Sequence, residues 1–141
     1  MTSPVSDGDD NDGTWNADVL TGIGDAEELR LAPRRADGTL RAFTTMWVVR
    51  SGGELYVRSA GGPQRPWYRH ALATRGGRIR AGGVEADVRF ARSAPDAEKA
   101  IDAAYHAKYD RYGATIVGHV TGPGAHAVTI RLVPEEAERR S

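Results

Sequence analysis

Three glycine-bearing turns, Asp37-Gly38, Ser51-Gly52-Gly53 and Gly82-Gly83, punctuate runs in which apolar and polar residues alternate, and this spacing constrains the chain more than any other feature. Such turns supply the positive backbone angles that tight hairpins need. The spacing predicts strands near Glu28 to Arg34, at 40–50, at 54–60, at 78–81 and at 84–92, with a last strand near 126–133. In the fifth run Val84, Ala86, Val88 and Phe90 share one face, while Glu85, Asp87 and Arg89 share the other. Consecutive short strands of this kind read as an antiparallel β-meander that closes toward a barrel, with parallel βαβ units excluded.

Two stretches carry a helical period instead. In "PQRPWYRHALAT" Pro66 suits the first turn, and Trp67, His70 and Ala71 fall on one side. In the segment from Ser93, Pro95, Asp96 and Glu98 place a start signal with acids at the positive end of the dipole, and the helix runs to about Tyr112 before Gly113. A short helix is expected near 15–20, and "ATIVGHVTGPGA" reads as a short helix or a strand. The class is therefore α+β, a mostly antiparallel barrel with one inserted helix and one longer helix in the C-terminal half.

The 141 residues suit one domain, placed at 14–134. Residues 1–13 are small and acidic and read as a disordered tail, and 135–141 as a disordered charged tail. Cysteine is absent, which removes disulfides, thiolate nucleophiles and cysteine-bound metals, and suits the cytoplasm. With 19 basic and 19 acidic residues, no global field draws the chain to nucleic acid or to acidic membranes. No apolar run approaches the roughly 18 residues of a membrane span.

Chemistry-bearing residues gather around the first hairpin and the inserted helix. Arg34, Arg35, Arg41 and Arg50 with Thr44 and Thr45 offer guanidinium forks and hydroxyls to an anion, or decorate a solvated sheet face. Ser59, Gly61 and Gly62 precede the helix, where backbone can approach a ligand. Trp67 serves as a helix anchor or a cleft wall, and Tyr68 as a cleft residue. His70 adjoins that cleft as a candidate proton donor, making Tyr68 and His70 the catalytic candidates. His106, His119 and His126 are assigned to surface or packing, and no metal-ligand spacing links the four histidines. The long helix repeats Ile101, Tyr105, Tyr109 and Tyr112 at helical spacing, as core and interface residues would. Neither a P-loop nor a dinucleotide fingerprint is present.

The stretch "RRADGTLRAFTTMWVVRSGGELYVRSAGGPQRPWYRHA" resembles the core of deazaflavin-dependent nitroreductases, in its basic pair, glycine, arginine, threonine, strand hairpin, Gly-Gly and Trp-Tyr. More closely, the blocks "YVRS", "GRIRAGGVEADV" and "AYHAKYDRYG" resemble an uncharacterised bacterial domain family over about residues 28–133. The wider resemblance implies a split β-barrel of the flavin-binding, pyridoxamine-phosphate-oxidase type, commonly paired as a homodimer. It places Arg35 and Arg41 at a cofactor phosphate tail, assisted by Thr44 or Thr45. Ser59, Gly61, Gly62, Trp67 and Tyr68 would then border the ring. His70 stands where an asparagine commonly follows Trp-Tyr, and the basic pair lacks a lysine.

Two functions fit these residues. In the first, FMN or an 8-hydroxy-5-deazaflavin coenzyme serves an oxidoreductase acting on a small organic substrate. In the second, no cofactor is bound and the same cleft binds or isomerises a small organic ligand through Tyr68, His70 or Arg50.

Overall fold

The computed structural model describes residues 14–135, so the expected tails at 1–13 and beyond 135 lie outside the described residues. The chain opens with helix α1 (Ala17–Gly24), begun by Asn16, whose side chain accepts the Asp18 and Val19 N–H groups at 2.9 and 3.2 Å. That cap sets the helix slightly later than the 15–20 expected. Trp15, just before it, turns inward and donates its indole N–H to the Leu132 carbonyl at 3.0 Å.

Strand β1 (Leu29–Pro33) leads through the Asp37-Gly38 turn into β2 (Thr44–Met46), and the two pair antiparallel with Leu31 opposite Thr44. The single strand expected over 40–50 is broken. Trp47 and Val48 interrupt it, and β3 (Val49–Ser51) pairs instead with β4 (Glu54–Arg58). After β4 come helix α2 (Pro66–Thr74) and the hairpin of β5 (Gly76–Ala81) and β6 (Val84–Ala91). A 3₁₀ turn at Pro95–Ala97 opens helix α3 (Glu98–Tyr109), which a second 3₁₀ turn extends to Tyr112. The short helices α4 (Ala114–Val117) and α5 (Pro123–His126) resolve the ambiguous stretch, and β7 (Thr129–Pro134) begins only after them.

All seven strands join one antiparallel sheet in the order β2-β1-β5-β6-β7-β4-β3. The meander expected from the turns is thus corrected: β4 neighbours β7, and β5 neighbours β1. The order also forces curvature. β2 and β3 stand at opposite edges, about 29 Å apart if the sheet were flat, given roughly 4.8 Å per strand. Yet Met46 and Val49 are three residues apart, a span of at most about 11 Å. Only a sheet curled until its edges meet satisfies both, and the result is a split barrel.

The period-two alternation of β4 separates two apolar clusters. Leu55 and Val57 point into the barrel with Leu29, Leu31, Ile79, Val88, Phe90 and Leu132. Tyr56 points outward, under α3, with Val49, Ile101, Tyr105 and Tyr109. Arg58 follows Tyr56 on that outer face. The predicted apolar face of β6 packs into the barrel core, Val88 and Phe90 buried and Val84 and Ala86 partly so.

Candidate functional site

The break between β2 and β3 builds one wall of a cavity. Tyr109, buried on α3, accepts the Val48 N–H at 3.2 Å and donates its hydroxyl to the Glu27 carbonyl at 2.8 Å. Burial pushes its phenol well above the usual range, so it stays protonated for that donation. Lys108 ties the same bend to α1, with Nζ donating to the Gly24 and Val48 carbonyls at 2.8 and 2.7 Å. Burial pulls its amine down to about 8. So fixed, the Trp47 ring lies flat on Tyr109, with centroids 4.0 Å apart and planes 4° apart.

Opposite stands Trp67 on the first turn of α2, its ring edge-on to Tyr68 at 5.8 Å. The loop before it is held by a tight turn in which the Gly62 N–H donates to the Ser59 carbonyl and Ser59 Oγ donates to the Gly62 carbonyl at 2.6 Å. Gly62 adopts φ +87°, which a side chain would strain. Between these walls lies a cavity of about 440 Å³, lined also by Thr44, Thr45, Arg58, Gly61, Arg65 and His119. Its surface is mainly apolar and aromatic, with the hydroxyls of Thr44 and Thr45 and the guanidinium of Arg65 among its polar groups. Arg65 joins no ion pair among the described residues.

The cavity floor is Arg58, 2 % exposed. Its guanidinium donates to Glu98 Oε1 at 2.6 Å, to the Val120 carbonyl at 2.7 Å, to Thr129 Oγ1 at 2.8 Å and to Asp102 Oδ1. It also lies over the Tyr105 ring, 5.5 Å from the centroid. A buried charge is tolerable only when its donors are satisfied this fully. Asp102 in turn meets His126 Nε2 at 2.9 Å and the Gly122 N–H at 3.3 Å. Burial would raise the Asp102 carboxyl, but the hydrogen bonds from Arg58 and His126 and the Arg58 charge outweigh it and hold the group below its usual range.

The predicted site residues divide into four groups. Thr44, Thr45, Gly61 and Trp67 line the first cavity together. Ser59 and Gly62 shape the turn behind it, with Ser59 buried. Tyr68 is 7 % exposed, donates to the Ala127 carbonyl at 3.2 Å and lines a second cavity beyond α2. Arg35, Arg41 and His70 line neither of these two cavities. Arg35 is engaged by Thr39 and the Leu40 carbonyl. Arg41 keeps a buried Nε without a hydrogen-bond partner. Partial burial, then the charges of Arg41, Arg69 and Arg35, hold the His70 imidazole below its usual range. The sequence reading missed Trp47, Arg58, Arg65, His119 and His126. An arginine inside the alternating run "ELYVRS" was the available signal for Arg58, because its strand position matches that of buried Tyr56.

The curled seven-strand antiparallel sheet with its flanking helices defines a split-barrel fold. The chain belongs to the family of uncharacterized proteins conserved in bacteria (DUF2255), whose model matches residues 19–132. No curated protein matches it. Among solved structures it is similar to the heme storage protein HutZ of Vibrio cholerae, at 15 % identity and a TM-score of 0.57 over 87 % of this chain and 92 % of that one. It is also similar to an FAD-binding protein of Mesorhizobium loti, at 19 % identity and a TM-score of 0.51 over 86 % and 91 %. An F420 reductase aligns at 20 % identity and a TM-score of 0.47, covering 82 % and 90 %. At these identities the likeness to the first two establishes the fold alone. No helix among the described residues is long and apolar enough to cross a membrane.

Proposed function

We propose that the cavity between Trp47 and Trp67 binds a flat heterocyclic cofactor, FMN or an 8-hydroxy-5-deazaflavin coenzyme, and that the protein is an oxidoreductase acting on a small organic substrate. The observation that carries this reading is that Trp47 and Trp67 line one cavity together with Arg65, which joins no ion pair among the described residues. Aromatic walls suit a planar ring, and guanidinium forks suit a phosphate tail. Arg41, three residues before Thr44 but outside the lining of this cavity, keeps a buried Nε without a partner and is assigned to the tail end of the site. Thr44 and Thr45 would add hydroxyl donors between them. When bound, the cofactor supplies the hydride chemistry; the protein binds the tail, presents one ring face and excludes water from the other.

Tyr68, which lines the second cavity, and His70, which lines neither, stand outside the ring's site in this reading, and Arg35 is assigned to the outer rim of the basic hairpin. Ile116, 53 % exposed on the cavity rim, and Tyr112, 42 % exposed nearby, make this side the face on which a second copy would complete the cleft as a homodimer. We place the protein in the cytoplasm, which a chain without cysteine suits. The alternative, a cofactor-free binding or isomerase-like module, is favoured by the engagement of Arg35 with its own hairpin.

Absorption and tryptophan-fluorescence titrations of the purified full chain with FMN and with a deazaflavin coenzyme separate the two. Saturable binding with quenched tryptophan emission is expected. Trp67→Leu should weaken that binding at least tenfold while thermal unfolding remains cooperative. No binding of either compound, or unchanged affinity in the variant, overturns the cofactor reading.

A further inference from the structure

A second cavity, of about 510 Å³, opens on the other side of α2, bounded by the end of β6, the start of α3 and α5. Its polar lining has an uneven charge. Glu98 is the one carboxylate there, and its oxygens are already occupied: Oε1 accepts from Arg58 and from Thr129 at 2.9 Å, and Oε2 accepts from Ser93. Both oxygens are thus taken up by interior partners. Behind His126, Asp102 shares the same Arg58 guanidinium, so these three groups keep one negative charge, set against the two further arginines of the lining.

The cationic lining is not spent. Arg75 and Arg92 both face this cavity, and neither joins an ion pair among the described residues. Arg75 makes one side-chain hydrogen bond, from Nε to the Leu72 carbonyl at 3.1 Å, which leaves the fork's other donors free. The two arginines come to this cavity from different segments, the end of α2 and the end of β6, and line it together with Tyr68. Between them the lining turns apolar, with the Tyr68 ring, Ile130 and Leu72, the last 39 % exposed. Two guanidinium forks beside an apolar floor match a ligand with an anionic head and an apolar body.

We propose that this second cavity is a binding site for a small organic carboxylate, its head held between Arg75 and Arg92 and its apolar body resting on Leu72 and Tyr68. The site is separate from the tryptophan cavity and does not depend on what that cavity holds. Inorganic anions satisfy only the forks, so they bind more weakly than a carboxylate carrying a ring.

The test is an amide-resolved NMR titration of the full chain with benzoate, and with benzamide as its uncharged counterpart. Benzoate should shift the Arg92, Ser93 and Ala127 amides saturably. Benzamide should bind at least tenfold more weakly. Arg92→Gln, and Arg75→Asn, chosen because asparagine tolerates the φ of +64° at that position, should each weaken benzoate at least fivefold. Equal binding of benzamide, shifts confined to the residues of the first cavity, or wild-type benzoate affinity in both variants would overturn the proposal.

Discussion

At the scale of single residues, Arg58 has the most consequences. It is placed by the alternation of β4, carries a full charge under α3, and is shared by two carboxylates one helical turn apart, Glu98 and Asp102. Replacing it with methionine keeps the bulk but strands both acids. Arg58→Met should therefore cost about 3–5 kcal/mol, the range for breaking a buried pair by removing one partner, read as a lower urea midpoint at neutral pH. Asp102 gives the pH counterpart. Its folded carboxyl titrates below the ordinary value of 3.8, so near and below that value the unfolded chain binds more protons than the folded one. Its contribution is fully present above pH 4 and is lost as the pH falls through the folded value. Urea midpoints measured from pH 6 down to pH 3 should fall in the wild type, and Asp102→Asn should show a shallower decline over that window.

At the scale of elements, β5 occupies the middle of one half of the sheet and depends on Gly77. A methyl group there would sit 2.3 Å from the Ala32 carbonyl oxygen and 2.8 Å from the Phe90 ring, where neither strand can yield without losing register. Gly77→Ala should destabilise by about 2 kcal/mol or more, seen as a fall in the thermal midpoint, whereas Gly53→Ala, in the open β3–β4 turn, meets no neighbour and no positive φ. The same elements show what could be read from the sequence. The β5–β6 hairpin, α2 and α3 were legible because turn glycines, Pro66 and the Ile101, Tyr105, Tyr109 spacing are local signals. The break at Trp47-Val48 was not, because β2 and β3 are divided by partners far away in sequence and by Tyr109, 61 residues from Val48. Half of the predicted cofactor residues meet in the first cavity for a related reason: Thr44, Thr45, Gly61 and Trp67 follow the backbone. Tyr68, by contrast, is turned to the far side of α2 by one helical step of about 100°.

At the scale of the molecule, the sheet order makes nearly every strand depend on a distant one: β1 on β5, β4 on β7 and β6 on β7. Folding should accordingly be slow for a chain of this size, because long loops must close before their contacts form. The hydrogen bond from Trp15 to the Leu132 carbonyl spans 117 positions and brings the two ends of the described fold within one bond of each other. The fold is therefore close to being a ring, and its order along the gene is one choice among several. A chain in which a short glycine-serine linker joins residues 14 and 135, opened instead between Gly52 and Gly53 where no neighbouring atom crowds the turn, should fold with a cooperative melt and retain the tryptophan cavity. Loss of cooperative unfolding in that rearranged chain would mean that β3 and β4 must be covalently joined for the barrel edges to meet.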